Sequence, residues 1–130
     1  MRILVCVKQV ASGELNPFDA CALEAALRIP DAEITLLSMG REGVKDMLLN
    51  LTRLGNINGV LLSDVAFAGA DTLATGYALS QAAQKMSFDL IICGRQTVDG
   101  DTAQTGSVLA TMLGIPVITN VMSIDKLDSD

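Results

Sequence analysis

Thirteen consecutive residues, Gly94 to Gly106, read GRQTVDGDTAQTG and carry three glycines, two aspartates, three threonines, two glutamines and an arginine between the apolar runs FDLIIC and SVLATML. Glycines that let a backbone approach closely, hydroxyl and amide donors, and a forked guanidinium at the start of a helix are equipment for holding phosphate rather than for breaking bonds. Part of the stretch is accounted for locally. Gly94 and Gly100 supply permissive turn backbone, Asp101 caps the following helix and Gln104 completes a capping box. That leaves Arg95, Gln96, Thr97 and Thr102 crowded on one turn, and they mark it as a nucleotide-phosphate candidate. A second such string is GADTLAT, where Asp71 or Thr72 opens a helix and Thr72 and Thr75, three apart, present hydroxyls on one helical face. A third is NPFDA, with Asn16 at a cap position and Pro17 at the first helical position.

Bond-breaking chemistry finds little support. The chain has no His, so a His-based triad or general acid–base pair is excluded, and no nucleophile elbow or Walker sequence occurs. Asp99 and Asp101 form one acidic pair, half explained by capping, and no metal is expected there.

The elements that must position these strings alternate along the chain. Apolar β-branched runs at Ile3–Val7, Glu33–Met39, Gly59–Ser63, Asp89–Cys93 and Pro116–Val121 suit strands buried on both faces, as in a parallel sheet. Between them lie helical patterns from Pro17, over Arg41–Leu54 closing on Gly55, over about Thr72–Met86, and over about Asp101–Leu113 ended by Gly114. This alternation predicts a doubly wound α/β sandwich of three layers with a five-stranded parallel sheet in the order 3-2-1-4-5. Ligands of such sheets bind outside the carboxyl ends of the strands where the winding reverses. The loops to inspect are therefore Lys8 to Asn16 and Gly94 to Gly100.

Composition is consistent with this reading and narrows the partners. At 130 residues and 50% hydrophobic, the chain suits one domain burying roughly two thirds of its unfolded surface. A formal charge of −6 with scattered basic residues gives no footprint for nucleic acid or an anionic membrane. Cys6, Cys21 and Cys93 lie far apart without a CxxC pair, which points to reduced thiols in the cytoplasm rather than a disulfide framework or zinc site. The five-residue apolar run before Lys8 is too short for a secretory signal, and no run approaches a membrane span.

MRILVCVKQV, NPFDACALEAAL, LSMG, LLSDVAFAGADTLAT and DLIICGRQTVDGDTAQTG, in this order over nearly the whole chain, resemble the β subunit of electron transfer flavoproteins, with the form DGDTAQTG similar to that of electron-bifurcating members. The resemblance implies an α/β domain of the adenine-nucleotide-binding, universal-stress-protein-like type. It implies pairing with an α subunit that carries FAD, passage of electrons between dehydrogenases or reductases, and either AMP or a second FAD held in the β subunit. The protein would then be a non-catalytic electron-transfer subunit or, if bifurcating, an NADH-oxidising flavoprotein subunit. Residue by residue, the resemblance assigns to the nucleotide Cys6, Asn16, Pro17, Phe18, Asp19 and Met39. It further assigns Thr72, Thr75, Gly94, Arg95, Gln96, Thr97, Val98, Asp99, Gly100, Asp101, Thr102, Ala103, Gln104 and Thr105.

Family members usually have a longer segment between VKQV and NP, where here only Ala11–Leu15 intervene, and a β subunit would continue well past Asp130. Residues 1–123 are thus expected to form the nucleotide-binding domain and 124–130 the start of a truncated C-terminal region. A universal-stress-protein-like ATP or AMP module is the alternative, but such loops space their glycines G-x2-G-x9-G, whereas Gly94, Gly100 and Gly106 are evenly spaced. A structural assembly fragment without ligand is the third reading.

If the polar turn binds nucleotide, Gly100→Val or Asp101→Ala will weaken nucleotide retention beyond the roughly 1 kcal/mol that loss of a helix cap costs. A melting series run beside a retention assay separates the two effects; a change due wholly to unfolding would leave only the capping role.

Overall fold

The computed structural model describes residues 1–62, 72–94, 105–118 and 124. Strand β1 (Arg2–Cys6) leads through a tight turn into helix α1 (Pro17–Leu27) and strand β2 (Glu33–Met39). Helix α2 (Val44–Leu51) tightens into a 3-10 turn at Thr52–Leu54 before strand β3 (Ile57–Leu62). Helix α3 (Thr72–Ala83), strand β4 (Leu90–Cys93) and helix α4 (Thr105–Leu113) complete the described elements. The four strands are all parallel, in the order β3-β2-β1-β4.

Strand periodicity sorts the core into two layers. Ile3, Val5, Ile34, Leu36 and Ile57 face Ala22, Leu23 and Ala26 of α1 and Val44 and Leu48 of α2. Leu4 and Leu37, with Cys6, Met39, Ile91 and Cys93 beside them, face Leu79 and Ala83 of α3 and Leu109 of α4. Winding runs outward from β1 to β2 and β3 with α1 and α2 on one face, then returns with α3 on the other face to place β4 on the far side of β1. This is the right-handed crossover rule applied twice, and it puts the reversal between β1 and β4.

Of the expected fifth strand, Pro116–Val121, the residues Thr119 to Val121 lie outside the described residues, and Pro116 to Ile118 carry no strand pairing among the described residues, with Val117 and Ile118 exposed. Asp101 to Gln104, at the expected start of α4, also lie outside the described residues.

Gly76 brings α3 onto α4. A Cβ there would meet the Val108 side chain at 2.5 Å and come within 3.7 Å of the Leu109 nitrogen. One turn on, the Ser80 hydroxyl contacts Met112 Sδ at 3.9 Å. Position numbers rise together along the contact, so the two helices are parallel and their amino ends stand side by side.

Leu36, fully buried at the centre of the sheet, and Leu49, half exposed on α2, make a paired test of this layering. Leu36→Ala is expected to cost about 2–5 kcal/mol in denaturant unfolding, and Leu49→Ala no more than about 0.5 kcal/mol.

Candidate functional site

The crevice at the reversal point is built around one acid. Asp19, in the first turn of α1 and only 6% exposed, accepts the Lys8 amide at Oδ2 at 2.8 Å. Its carboxylate also accepts the Gly94 amide and the Asn16 side chain. Lys8 follows β1 and Gly94 follows β4, so a single carboxylate joins the ends of the two central strands to the start of a helix. Gly94 is required for this: a Cβ there would overlap the Asp19 carboxylate and stand 2.9 Å from both the Asp19 nitrogen and the Phe18 carbonyl carbon.

The turn between β1 and α1 delivers Asp19 to that place. Gln9 bridges Leu15, the Val10 amide donates to the Glu14 carbonyl at 2.9 Å, and Gly13 turns the chain at φ +90°. The Asn16 amide then donates to the Lys8 carbonyl at 2.8 Å, and the Asn16 carbonyl accepts the amides of Asp19 and Ala20. Asn16 does occupy the cap position, but its side chain makes no capping hydrogen bond. Fully buried, it is turned instead onto Asp19.

The assigned residues fall into three groups in space. Asn16, buried, Phe18, half-buried, and Asp19 form the wall against Gly94, with Pro17 exposed at its edge. Cys6 and Met39, both half-buried, end β1 and β2 on the α3/α4 side. Thr72 and Thr75 lie in the first turn of α3 and Thr105 opens α4. The parallel packing of these helices sets Thr72 level with the beginning of α4, and Gly106 ties that beginning to β4, since a Cβ on it would stand 3.7 Å from Cys93 Sγ. The amino ends of α1, α3 and α4 therefore converge on the carboxyl ends of β1 and β4. Arg95, Gln96, Thr97, Val98, Asp99, Gly100, Asp101, Thr102, Ala103 and Gln104 lie outside the described residues.

Three participants escaped the reading from residues. The Lys8 backbone, not its side chain, serves the site. Cys93 is the register partner of Cys6, which could have been found by aligning the ends of VCV and IIC where each strand leaves the sheet. Ser38, at the end of β2 on the α1 face, adds a fully buried hydroxyl with no hydrogen-bond partner among the described residues.

Doubly wound parallel α/β domains place their ligand sites outside the carboxyl ends of the strands at the reversal point, where helix amino ends suit anions. Comparison with known proteins makes this specific: the model for the electron transfer flavoprotein domain matches residues 3–130, and the chain belongs to that family. It is 45% identical to electron transfer flavoprotein subunit beta of Megasphaera elsdenii over 160 positions, covering 100% of this chain and 59% of that protein. It is 40% identical to the subunit of the same name from Clostridium acetobutylicum, covering 100% and 58%. Identity to subunit CarD of the caffeyl-CoA reductase–Etf complex of Acetobacterium woodii is 42%, covering 95% and 56%. The chain thus spans a little over half the length of these curated relatives. The reading as a universal-stress-protein-like module finds no support in these matches.

Burial pushes the Asp19 carboxyl from its ordinary 3.8 up to about 6, against the pull of Asn16, the two amides and the Lys8 charge. Because the folded value is the higher, the acid's contribution to stability is complete below pH 3.8 and is lost as pH rises through 6. The stability of the protein relative to its Asp19→Asn variant should accordingly fall by about 2–2.5 kcal/mol between pH 4 and pH 7. Denaturant titrations of both proteins across that range check it, and a flat difference would refute a buried, ionising carboxyl.

Proposed function

We propose that this chain is the nucleotide-holding part of an electron-transfer flavoprotein β-type subunit. It pairs with an FAD-carrying α subunit and passes electrons between dehydrogenases or reductases in the cytoplasm. The observation that carries this reading is the convergence of three helix amino ends on two strand ends at the reversal point, in a chain of the electron transfer flavoprotein family. Residues 1–123 form the nucleotide domain on this reading.

The residues in view fit an adenine nucleotide. Backbone amides at the starts of α3 and α4, with Thr72, Thr75 and Thr105 among them, suit phosphate oxygens. Arg95 to Gln104 supply the remaining donors, Arg95 by forked contacts that a Lys could not reproduce. Cys6 and Met39 are soft walls for the base, and the unpartnered Ser38 hydroxyl offers a polar contact at the opposite side of the crevice. Asn16, Pro17, Phe18 and Asp19 form the backing against Gly94. A flavin, when bound, supplies the electron chemistry; the chain's own residues bind and orient it and tune its surroundings.

Two donor sets, one at α3 and one at α4, favour a pyrophosphate and hence FAD over AMP. Co-purification with the partner subunit, denaturation, and chromatographic counting of flavin and adenine decide between them. Two flavins per heterodimer are expected. One flavin with one AMP would refute FAD here, and the absence of any adenine nucleotide beyond the α subunit's own FAD would refute nucleotide binding by this chain.

A further inference from the structure

We infer that Cys6 and Cys93 are a reversible dithiol–disulfide couple at the floor of the reversal crevice. The two are register partners on the central parallel strands. Both side chains turn to the α3/α4 face, and both are free, half-buried thiols. Neighbouring strands stand about 4.8 Å apart, within the Cα separations of roughly 4.4–6.8 Å that a disulfide spans. That lies inside the usual range but below its commonest value of about 5.5–6 Å, so the bond can form between these strands only with a small adjustment of their spacing.

The roles of the two sulfurs differ. Cys6 donates its hydrogen bond to Cys93, which lowers the Cys93 thiol from its ordinary value against the opposing effects of burial and the Asp19 charge. The same bond, with burial, pushes Cys6 well up. Cys93, the more acidic of the pair, attacks first, and Cys6 resolves. With hydrogen peroxide as oxidant, the Cys93 sulfur attacks one peroxide oxygen, the O–O bond breaks, and a sulfenic acid and one water result. The Cys6 sulfur then attacks the sulfenic sulfur, loses its proton and displaces hydroxide, which leaves as the second water. Two thiols and one peroxide give one disulfide and two waters, with two electrons passed to the peroxide.

Disulfides prefer Cα separations of about 5.5–6 Å, so closing this bond pushes the Cys93–Gly94 junction away from β1. Gly94 has no room to move, since it abuts Asp19 and Phe18. Strain at the sulfurs thus passes to the wall of the crevice, and oxidation should loosen a bound nucleotide; this consequence rests on the function proposed above, whereas the couple itself does not.

Cys21, exposed on α1, is a built-in control. After stoichiometric hydrogen peroxide and alkylation, the protein should lose two hydrogens by intact mass and keep one alkylatable thiol, Cys21, with all three restored by dithiothreitol. Cys6→Ser and Cys93→Ser should each abolish the two-hydrogen loss. Three alkylatable thiols after peroxide, or a crosslink that includes Cys21, would overturn the couple. In a parallel AMP titration, oxidation should weaken binding about tenfold, reversibly, and Cys93→Ser should remove the peroxide effect. Unchanged AMP affinity after a proven disulfide would overturn the coupling, while reduced protein that binds no AMP would refute the nucleotide reading and leave the couple to the thiol count.

Discussion

A carboxylate that has been taken out of water and given three hydrogen-bond donors holds the crevice of this protein together. Asp19 receives amides from the end of β1 and the end of β4 and the side chain of Asn16. Strand order alone would bring β1 and β4 side by side; it would not tie their ends to the start of α1. The acid does that. It sits in the first turn of α1, where the helix dipole favours a negative charge, yet its burial outweighs the donors and the Lys8 charge and leaves its pKa raised. A group kept at some expense to stability, at the reversal point of a parallel sheet, has the signature of a residue retained for a site rather than for folding.

The remaining constraint is closeness. With an aromatic content of 3% and no Trp, the layers approach one another through small residues: Ala22 and Ala26 under the sheet, Ala83 above it, Gly76 between α3 and α4, and Gly94 against Asp19. Gly76 and Gly94 have a common effect. Each lets a backbone come near enough that two amino-terminal helix turns, or a helix turn and a strand end, share one small volume. Amides that would be scattered in a looser packing are concentrated there, and concentrated amides are what an anion needs.

Much of this could be read from residue order. Continuous β-branched runs identified the four strands because both faces of a parallel sheet are buried, and alternation with helices was enough to give the winding and the reversal point. Asn16, Pro17 and Gly114 marked helix ends by the conformations they favour. What could not be read was long-range. Nor does any local pattern reveal that Asp19, rather than solvent, answers the amides of Lys8 and Gly94, because the two partners lie 11 and 75 positions away and meet only when the sheet forms. The pairing of Cys6 with Cys93 was hidden for the same reason. For the turn from Arg95 to Gln104, the case remains chemical: residue types suited to phosphate, beside a helix start.

The short connection between β1 and α1 bears on how the site tolerates change within the family. The alignment with the Megasphaera elsdenii subunit runs over 160 positions against a chain of 130, so 30 aligned positions have no residue here. Ala11 to Glu14 are exposed and lie outside the bridge between Gln9 and Leu15. The contacts that seat α1 all lie on the inner side of that bridge: the Asn16 amide on Lys8, and the Asp19 carboxylate on the Lys8 and Gly94 amides. Each doubling of a flexible loop costs only about 0.6 kcal/mol in closure entropy. Residues added at the exposed tip would therefore leave Asn16 and Asp19 where they are, and their removal does the same. The wall of the crevice is set by a bridge and a carboxylate, and the length of chain beyond the bridge is free to serve other contacts.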